Sequence, residues 1–203
     1  MKGQLWIVAA PSGGGKTSLI GAAVNALDNV VESISHTTRE CRPGEENGVH
    51  YHFVSQSEFD ALAAQGDFLE WAQVFHHAYG TSGGKVDELL AQGKDVILNI
   101  DWQGAQQVRQ KRPDTRMVFL LPPSLDALRE RLTARGQDSA ETVAKRMAQA
   151  AEQIGHWREF DYIIVNDDFA RAARELQGLI LADRLKRERC ASDLQALLAT
   201  LGQ

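Results

Sequence analysis

The chain is poor in cysteine, proline, basic charge and long apolar runs, and each shortage removes a class of protein. Cys41 and Cys190 are the only 2 cysteines in 203 residues. They stand far apart and in no Cys-x-x-Cys pair, which leaves neither a disulfide framework nor a thiolate zinc site and fits a reducing compartment. The 5 prolines are scattered, with Pro122-Pro123 placed to end a strand. No Pro/Ser-rich linker, internal repeat or low-complexity tract divides the chain. The longest near-continuous apolar runs, Leu5 to Ala10 and Met117 to Leu121, fall far short of the roughly 20 residues that span a bilayer. The first of them follows Lys2 but runs straight into a glycine loop, so a retained cytoplasmic protein is expected. Lys+Arg number 22 against 27 Asp+Glu, giving a net charge of -5 and a pI near 5.7. That balance predicts no nucleic-acid and no membrane partner. His50 and His52 would share one face of a strand, and His76 and His77 are neighbours, but no His-Glu-x-x-His helix occurs. Structural zinc takes four ligands and catalytic zinc three, so these are read as solvated histidines.

What is present is an ordinary globular composition, 43% hydrophobic and 24% charged, in a chain long enough to bury the core of one domain. Apolar runs of the buried parallel-strand kind fall at Leu5 to Ala9, Val96 to Ile100, Met117 to Leu121 and Tyr162 to Val165. Between and around them lie helical-period segments at Thr17 to Leu27, Gly84 to Gln92, Gly104 to Lys111, Leu125 to Ala134, Ala140 to Ile154 and Phe169 to about Arg189. This is an α/β layout with a covered parallel sheet. Ser33 to Tyr79 breaks the rhythm with short alternating segments, among them Tyr51 to Val54 and Phe68 to Val74, and a Pro43-Gly44 turn, and reads as an inserted, mostly antiparallel lobe.

The first chemical signal is Ala10-Pro11-Ser12-Gly13-Gly14-Gly15-Lys16-Thr17, after the first strand and before a helical pattern that Ser18 continues. It is a Walker A loop in which Ala10 replaces the usual first glycine, a change that matters only if that position needs a positive φ. The three glycines let backbone N–H groups converge on phosphate oxygens. Lys16 then reaches the β and γ phosphates, Thr17 holds Mg²⁺, and the helix presents its positive end. Such a loop names a nucleoside triphosphate but not its use. Further on, Arg39 and Arg42 in Thr37-Thr38-Arg39-Glu40-Cys41-Arg42-Pro43-Gly44-Glu45 could fork onto one phosphate if the chain curves, with Tyr51 and Tyr79 as hydroxyl donors. Two arginines in a polar loop also suit a solvated surface, and the residues alone leave both readings open.

The pattern Ser35-x-x-Thr38-Arg39-x-x-Arg42-Pro43-Gly44-Glu45, then Gly48 to Phe53, Phe68-Leu69-Glu70-Trp71-Ala72 and Tyr79-Gly80-Thr81-Ser82, resembles guanylate kinase. So do Ile100 to Ala105, Leu121 to Ser124, Arg131-Leu132-x-x-Arg135-Gly136 and Ile164 to Asp167, in that family's order and spacing. The resemblance covers nearly the whole chain and is strongest to the bacterial enzymes. It implies a P-loop NTPase three-layer fold with a central parallel sheet, an inserted mixed or antiparallel nucleotide-monophosphate lobe and a helical lid. The corresponding organisation is core 1–33, GMP-binding lobe 34–82, core 83–124, lid 125–147, and core with C-terminal helices 148–203.

By the same resemblance, Glu70 accepts hydrogen bonds from the guanine ring N–H and exocyclic amine, with Ser35, Thr81 and Asp101 completing the base contacts. Adenine lacks that pair of donors, and a site built for them can reject it by roughly 10⁴ to 10⁵. Arg39, Arg42, Tyr51 and Tyr79 hold the GMP phosphate, and Glu45 organises the arginines. Lys16, Arg131, Arg135 and Arg146 are the catalytic cations. Arg131 and Arg135 share a helix face at i and i+4, and Arg146 lies on the return limb. The implied reaction is direct in-line transfer of the γ-phosphoryl of Mg·ATP to GMP, giving ADP and GDP, as part of purine nucleotide metabolism and GMP recycling.

Three residues depart from the family pattern: Asn99 where an acid is common, Cys41 for a frequent proline, and Ala78 for a frequent aromatic. Two alternatives make different demands on the sequence. An inactive binding module of the same fold would lose Lys16 and the lid arginines, and a related small-molecule kinase, such as a ribose bisphosphate kinase, would lack Ser35, Glu70, Tyr79 and Thr81. The leucine-rich tail Leu185 to Leu201 is read as a terminal helix packed on its own core or on a second subunit, which leaves a homo-oligomer open.

Overall fold

The structure, a computed structural model, describes residues 2–74, 76–134 and 140–202. In chain order its elements are β1 (Leu5–Ala9), α1 (Lys16–Ala26), β2 (Val30–Glu32), β3 (His36–Thr37), β4 (His52–Phe53), α2 (Gln56–Ala64), β5 (Phe68–Val74), β6 (His77–Ser82), α3 (Gly83–Ala91), β7 (Asp95–Asn99), α4 (Trp102–Lys111), β8 (Arg116–Leu121), α5 (Leu125–Ala134), α6 (Ala140–Gly155), β9 (Tyr162–Val165), α7 (Phe169–Arg184) and α8 (Arg187–Thr200). A 3₁₀ turn at His156–Glu159 links α6 to β9.

Five strands form a parallel sheet in the order β2-β7-β1-β8-β9. Alternation along β1 explains why the strand looked uniformly apolar. Trp6 and Val8 point into a cluster with Leu19 and Ile20 of α1 and Leu176 and Ile180 of α7. Leu5, Ile7 and Ala9 point the other way, against Val86 and Leu90 of α3 and Val108 of α4. Both faces are covered, so every position of the strand is buried. This three-layer arrangement is the P-loop NTPase α/β fold, and it leaves the carboxyl ends of β1, β7 and β9 facing one crevice, where ligands bind in such sheets.

A second sheet, β4-β3-β6-β5, is mixed: β3 runs parallel to β4, while β6 is antiparallel to both β3 and β5. Its apolar side rests on α2 through Phe59, Phe68 and Ala78. Helix α2 went unanticipated although Ser55 and Glu58 form a complete capping box, Ser55 accepting from the Glu58 N–H and Glu58 from the Ser55 N–H. Strand β2 was missed as well, because three residues are too few to show a period. His50 is not on a strand with His52; its Nδ1 accepts from the Glu46 N–H at 3.0 Å, and His52 instead lies against the His36 ring, centroids 4.7 Å apart. Among the described residues no group of three or more His, Cys, Asp or Glu side chains is placed to hold a metal ion.

The continuous helix expected over Phe169 to Arg189 is two helices. The chain turns at Leu185 and Lys186, and the turn brings α8 back over the amino ends of the strands. There Arg189 contacts Asp183 at 2.8 Å and Asp95 at 2.6 Å. Leu194, Leu197, Leu198 and Leu201 of the tail are exposed. Among the described residues, no helix is long and apolar enough to cross a membrane.

Candidate active site

The loop between β1 and α1 wraps a cavity of about 210 Å³ lined by residues 11–18. Its shape comes from backbone. Gly13 and Gly15 have φ of 83° and 92°, which only glycine adopts without strain. Ala10 does not, since Asn29 is the single described non-glycine residue with positive φ, so alanine is accommodated there. The methyl of Ala10 does impose a demand four residues later: a Cβ on Gly14 would sit 2.7 Å from it. Helices α2, α3, α4 and α7 are capped by the side chains of Ser55, Ser82, Asp101 and Asp168, whereas α1 starts at Gly15 with no side-chain cap. Its first-turn N–H groups therefore face the cavity with the positive end of the helix dipole behind them. Lys16 reaches back to the Ala10 carbonyl at 3.2 Å. Burial lowers its pKa, and the negative charge of Asp101 opposes that shift.

Two residues without an assigned role complete the cradle. Asn166, after β9, donates from Nδ2 to the Gly14 carbonyl at 2.9 Å. Gln153 of α6 accepts from the Ser12 N–H at 3.2 Å. The Ile164 to Asp167 motif marked Asn166 in the sequence, but nothing in a one-dimensional pattern joins it to a loop 152 residues away. Arg131, on α5, donates to the Asn166 carbonyl at 2.7 Å and lines a cleft of about 460 Å³ with Gly13, Gly15, Ser18, Asn166, Asp167 and Phe169. Arg146 lies in α6, which packs on α5 through Leu128, Leu132, Val143, Met147 and Ala150. Arg135 falls outside the described residues.

The second group of candidates assembles on the mixed sheet. Arg39 contacts both oxygens of Glu45, at 2.8 and 3.0 Å, and Glu45 also accepts from the Arg42 N–H at 2.9 Å. The Arg39 hydrogen bond, followed by the Arg42 N–H, lowers the Glu45 pKa to about 2. The Arg39 guanidinium lies 5.4 Å from the centre of the Tyr51 ring, and Tyr51 meets Tyr79 edge-on with centroids 5.9 Å apart. Tyr79 adds to the rise in the Arg39 pKa that Glu45 begins. Glu45 thus curves the loop and fixes one guanidinium, while the Arg42 side chain remains exposed.

Glu70 is the most unusual of the candidates. It is 6% exposed, on β5 just past a bulge, and accepts a 2.6 Å hydrogen bond from Thr81 on the facing strand. Burial pushes its pKa up to about 7, partly offset by Thr81 and reinforced by the Asp101 charge. Its other oxygen lies over α4 so closely that a Cβ on Gly104 would be 3.0 Å away. Asp101 caps the same helix, accepting from the Gly104 N–H at 2.9 Å. The Asp101 charge is felt by both Lys16 and Glu70. Ser35 is half-buried immediately before β3, and its carbonyl accepts from the His52 N–H.

At the carboxyl end of β7, Asn99 donates to Glu32 at 3.0 Å and approaches the Thr17 hydroxyl at 3.5 Å. Glu32 was not anticipated, because its strand was not. Burial raises its pKa, and the Asn99 bond partly offsets this.

A glycine loop opening onto an uncapped helix at the carboxyl edge of a parallel sheet, with a second anion-binding cluster beside it, defines a P-loop kinase that acts on a phosphorylated small molecule. Sequence comparison narrows that class. The family model for guanylate kinase matches residues 2–183. Over 189 residues the chain is 56% identical to a guanylate kinase of Alkalilimnicola ehrlichii, covering 93% of each. Over 202 residues it is 52% identical to that of Vibrio parahaemolyticus, covering 98% of each. The crystal structure of guanylate kinase from Anaplasma phagocytophilum superposes with a TM-score of 0.73 at 31% identity, over 93% of this chain and 89% of that one. The chain belongs to the guanylate kinase family and is an ATP:GMP phosphotransferase.

Proposed function

We propose that the chain binds ATP on the loop at residues 10–18 and GMP on the mixed sheet, and passes the γ-phosphoryl directly between them, giving ADP and GDP. The observation that carries this reading is that Asp101 and the buried Glu70 meet at the same glycine, Gly104, while the Asp101 charge also acts on the half-buried Lys16, which supports neighbouring half-sites. Glu70, in its charged form, accepts from the guanine ring N–H and exocyclic amine. Thr81 steers the carboxylate through its hydrogen bond, and Ser35 and Asp101 close the edges of the base pocket. Arg39, Arg42, Tyr51 and Tyr79 hold the GMP phosphate, with Glu45 keeping Arg39 in place.

The donors at the cradle suit Mg²⁺, which prefers one or two protein oxygens supplemented by phosphate and water. Thr17 supplies the hydroxyl. Held there with ATP, Mg²⁺ would supply positive charge against the phosphates. Lys16 follows the charge that develops on the transferring group, and Arg131, Arg135 and Arg146 add their positive charge to it. These cations act by position and charge, a role for which single arginines are worth about 10³ to 10⁵ in rate. Closure of the α5–α6 pair over the cradle excludes water and so suppresses ATP hydrolysis. In the cell the reaction serves purine nucleotide metabolism in the cytoplasm.

The test is ADP release from Mg·ATP with GMP, AMP, CMP, UMP or a ribose bisphosphate as acceptor. Strong turnover with GMP alone is expected. Equal turnover with AMP would remove the assigned base pocket, and binding of GMP without turnover would leave only a binding module.

A further inference from the structure

Glu32 is a carboxylate in an awkward place. It is partly buried on β2 and faces a cavity of about 460 Å³ whose walls include Thr17 and Asn99 on one side and Glu45 and Tyr51 on the other. Its hydrogen-bond donor is a neutral amide, Asn99 Nδ2 at 3.0 Å, which also approaches Thr17 Oγ1 at 3.5 Å. Among the described residues no lysine or arginine forms a salt bridge with it. The cavity joins the phosphate cradle to the Arg39–Tyr51–Tyr79 cluster, so two phosphorylated ligands bring their negative charge to this side of the protein. A fixed carboxylate there repels both, and partial burial weakens the screening that would otherwise hide it. The arrangement becomes favourable only when a cation arrives with one of the ligands.

We infer that Glu32, acting through Asn99 and the Thr17 hydroxyl, makes the cradle selective for metal-loaded nucleotide, disfavouring free ATP and favouring Mg·ATP. The inference rests on the assignment of Thr17 to the metal. Glu32 is a positioning residue: it supplies the charge that Asn99 lacks, one strand further from the cradle, and touches no reacting atom. Outer partners of this kind are worth roughly 10- to 100-fold in metal affinity.

The experiment is equilibrium binding of ATP to the full chain, once with excess Mg²⁺ and once with EDTA, and its readout is the ratio of the two dissociation constants. Glu32→Gln keeps the shape and still accepts from Asn99, so only charge is removed. It is expected to tighten free ATP and loosen Mg·ATP, collapsing the ratio roughly tenfold. Glu32→Gln combined with Asn99→Asp reverses the hydrogen bond, returns one charge to the pair, and is expected to restore most of the ratio. A structural role would move both constants in the same direction, and that result would overturn the inference. Thr17→Ala separates the two levels. If it lowers the ratio and Glu32→Gln does not, Glu32 is excluded and the Thr17 assignment stands; if neither variant changes the ratio, both fall.

Discussion

At the amino edge of the central sheet, Asp95 and Asp183 are 1% and 2% exposed and surrounded by cations. Asp183 meets Arg116, Lys186 and Arg189 at 2.8 to 2.9 Å, and Asp95 meets Arg184 and Arg189 at 2.8 and 2.6 Å. At the carboxyl edge Glu70 is buried and Lys16 and Glu32 are half-buried, yet none of them forms a salt bridge among the described residues. Burying a charge without a partner costs free energy, so the fold tolerates it where a ligand completes the set. The matched edge ties β7, β8, α7 and α8 together. Under the proposed function, the unmatched edge holds charge in readiness for phosphate, metal and guanine. One test follows directly: neutralising a charge should cost activity but not stability at one edge, and stability but not activity at the other.

The largest effect belongs to Lys16→Ala. Turnover in the ADP-release assay is expected to fall roughly 10³-fold or more, because the transferring group loses its fixed cation. GMP binding stays largely intact, and the melting temperature is unchanged or higher, since a desolvated ammonium is gone. Full activity in this variant would dissolve the contrast at its strongest point. The opposite behaviour is expected of Asp183→Ala, which takes the partner from Arg116 and Lys186, leaves Arg189 with Asp95 alone, and costs about 3 kcal/mol in urea unfolding while the folded fraction keeps its kcat. Burial tends to raise the Asp183 pKa, but hydrogen bonds from Lys186, Arg116 and Arg189 hold it below the ordinary carboxylate value. Its contribution is therefore present above the unfolded pKa and lost as pH falls through the lower folded one, so wild type and variant should converge in acid.

Glu70→Gln comes next and probes both sides of the contrast in one residue. The Glu70 pKa is raised to about 7 against an unfolded value of 4.5. The folded chain holds a proton there that the unfolded chain releases, so the stabilising linkage is complete below 4.5 and lost as pH rises through 7. At pH 8 the wild type carries the burden of a buried carboxylate. The glutamine variant should then gain up to about 3 kcal/mol, with little difference at pH 4. It should also raise the GMP KM and erode discrimination against AMP, because an amide cannot accept from both guanine donors at once. In the wild type, GMP affinity is expected to fall as pH drops below 7. A pH-independent KM would remove the carboxylate from the base contact.

How much of this was legible in the sequence followed from the range of each signal. The four long strands and the glycine loop announced themselves because period, length and loop chemistry are local. Only the family resemblance grouped Arg39, Glu45 and Tyr51, since two arginines in a polar loop suit a solvated surface equally well. Strand β2 was invisible: three residues carry no periodicity, and with it Glu32 escaped notice. Asn166 and Gln153 reach the glycine loop from the far end of the chain, and their hydrogen bonds are products of the sheet order. The break between α7 and α8 escaped for a related reason. The helical pattern continues through Leu185, and it is the long-range attraction of Arg189 to Asp95 and Asp183 that rewards a turn there.

The smallest effect concerns what shapes the carboxyl edge once its charges are set aside. There the cradle is held by neutral groups: glycine torsions and the Asn166 amide on the Gly14 carbonyl. Gly15→Ala forces a side chain onto φ 92° and places a Cβ 2.6 Å from Asn166 Nδ2. The torsion alone costs of order 1 to 3 kcal/mol, and the clash adds the loss or bending of the Asn166 bond. Asn166→Ala removes that bond and also the obstacle. In its background Gly15→Ala meets only the torsional penalty, so the two substitutions should be non-additive by about 0.5 to 1.5 kcal/mol, measured by a double-mutant cycle in urea and in ATP binding. Additive costs would mean that Asn166 and Gly15 shape the loop independently. A shortfall of that size would show that the phosphate cradle, unlike the paired edge opposite, is kept in form by close neutral packing that leaves its charges free for the ligand.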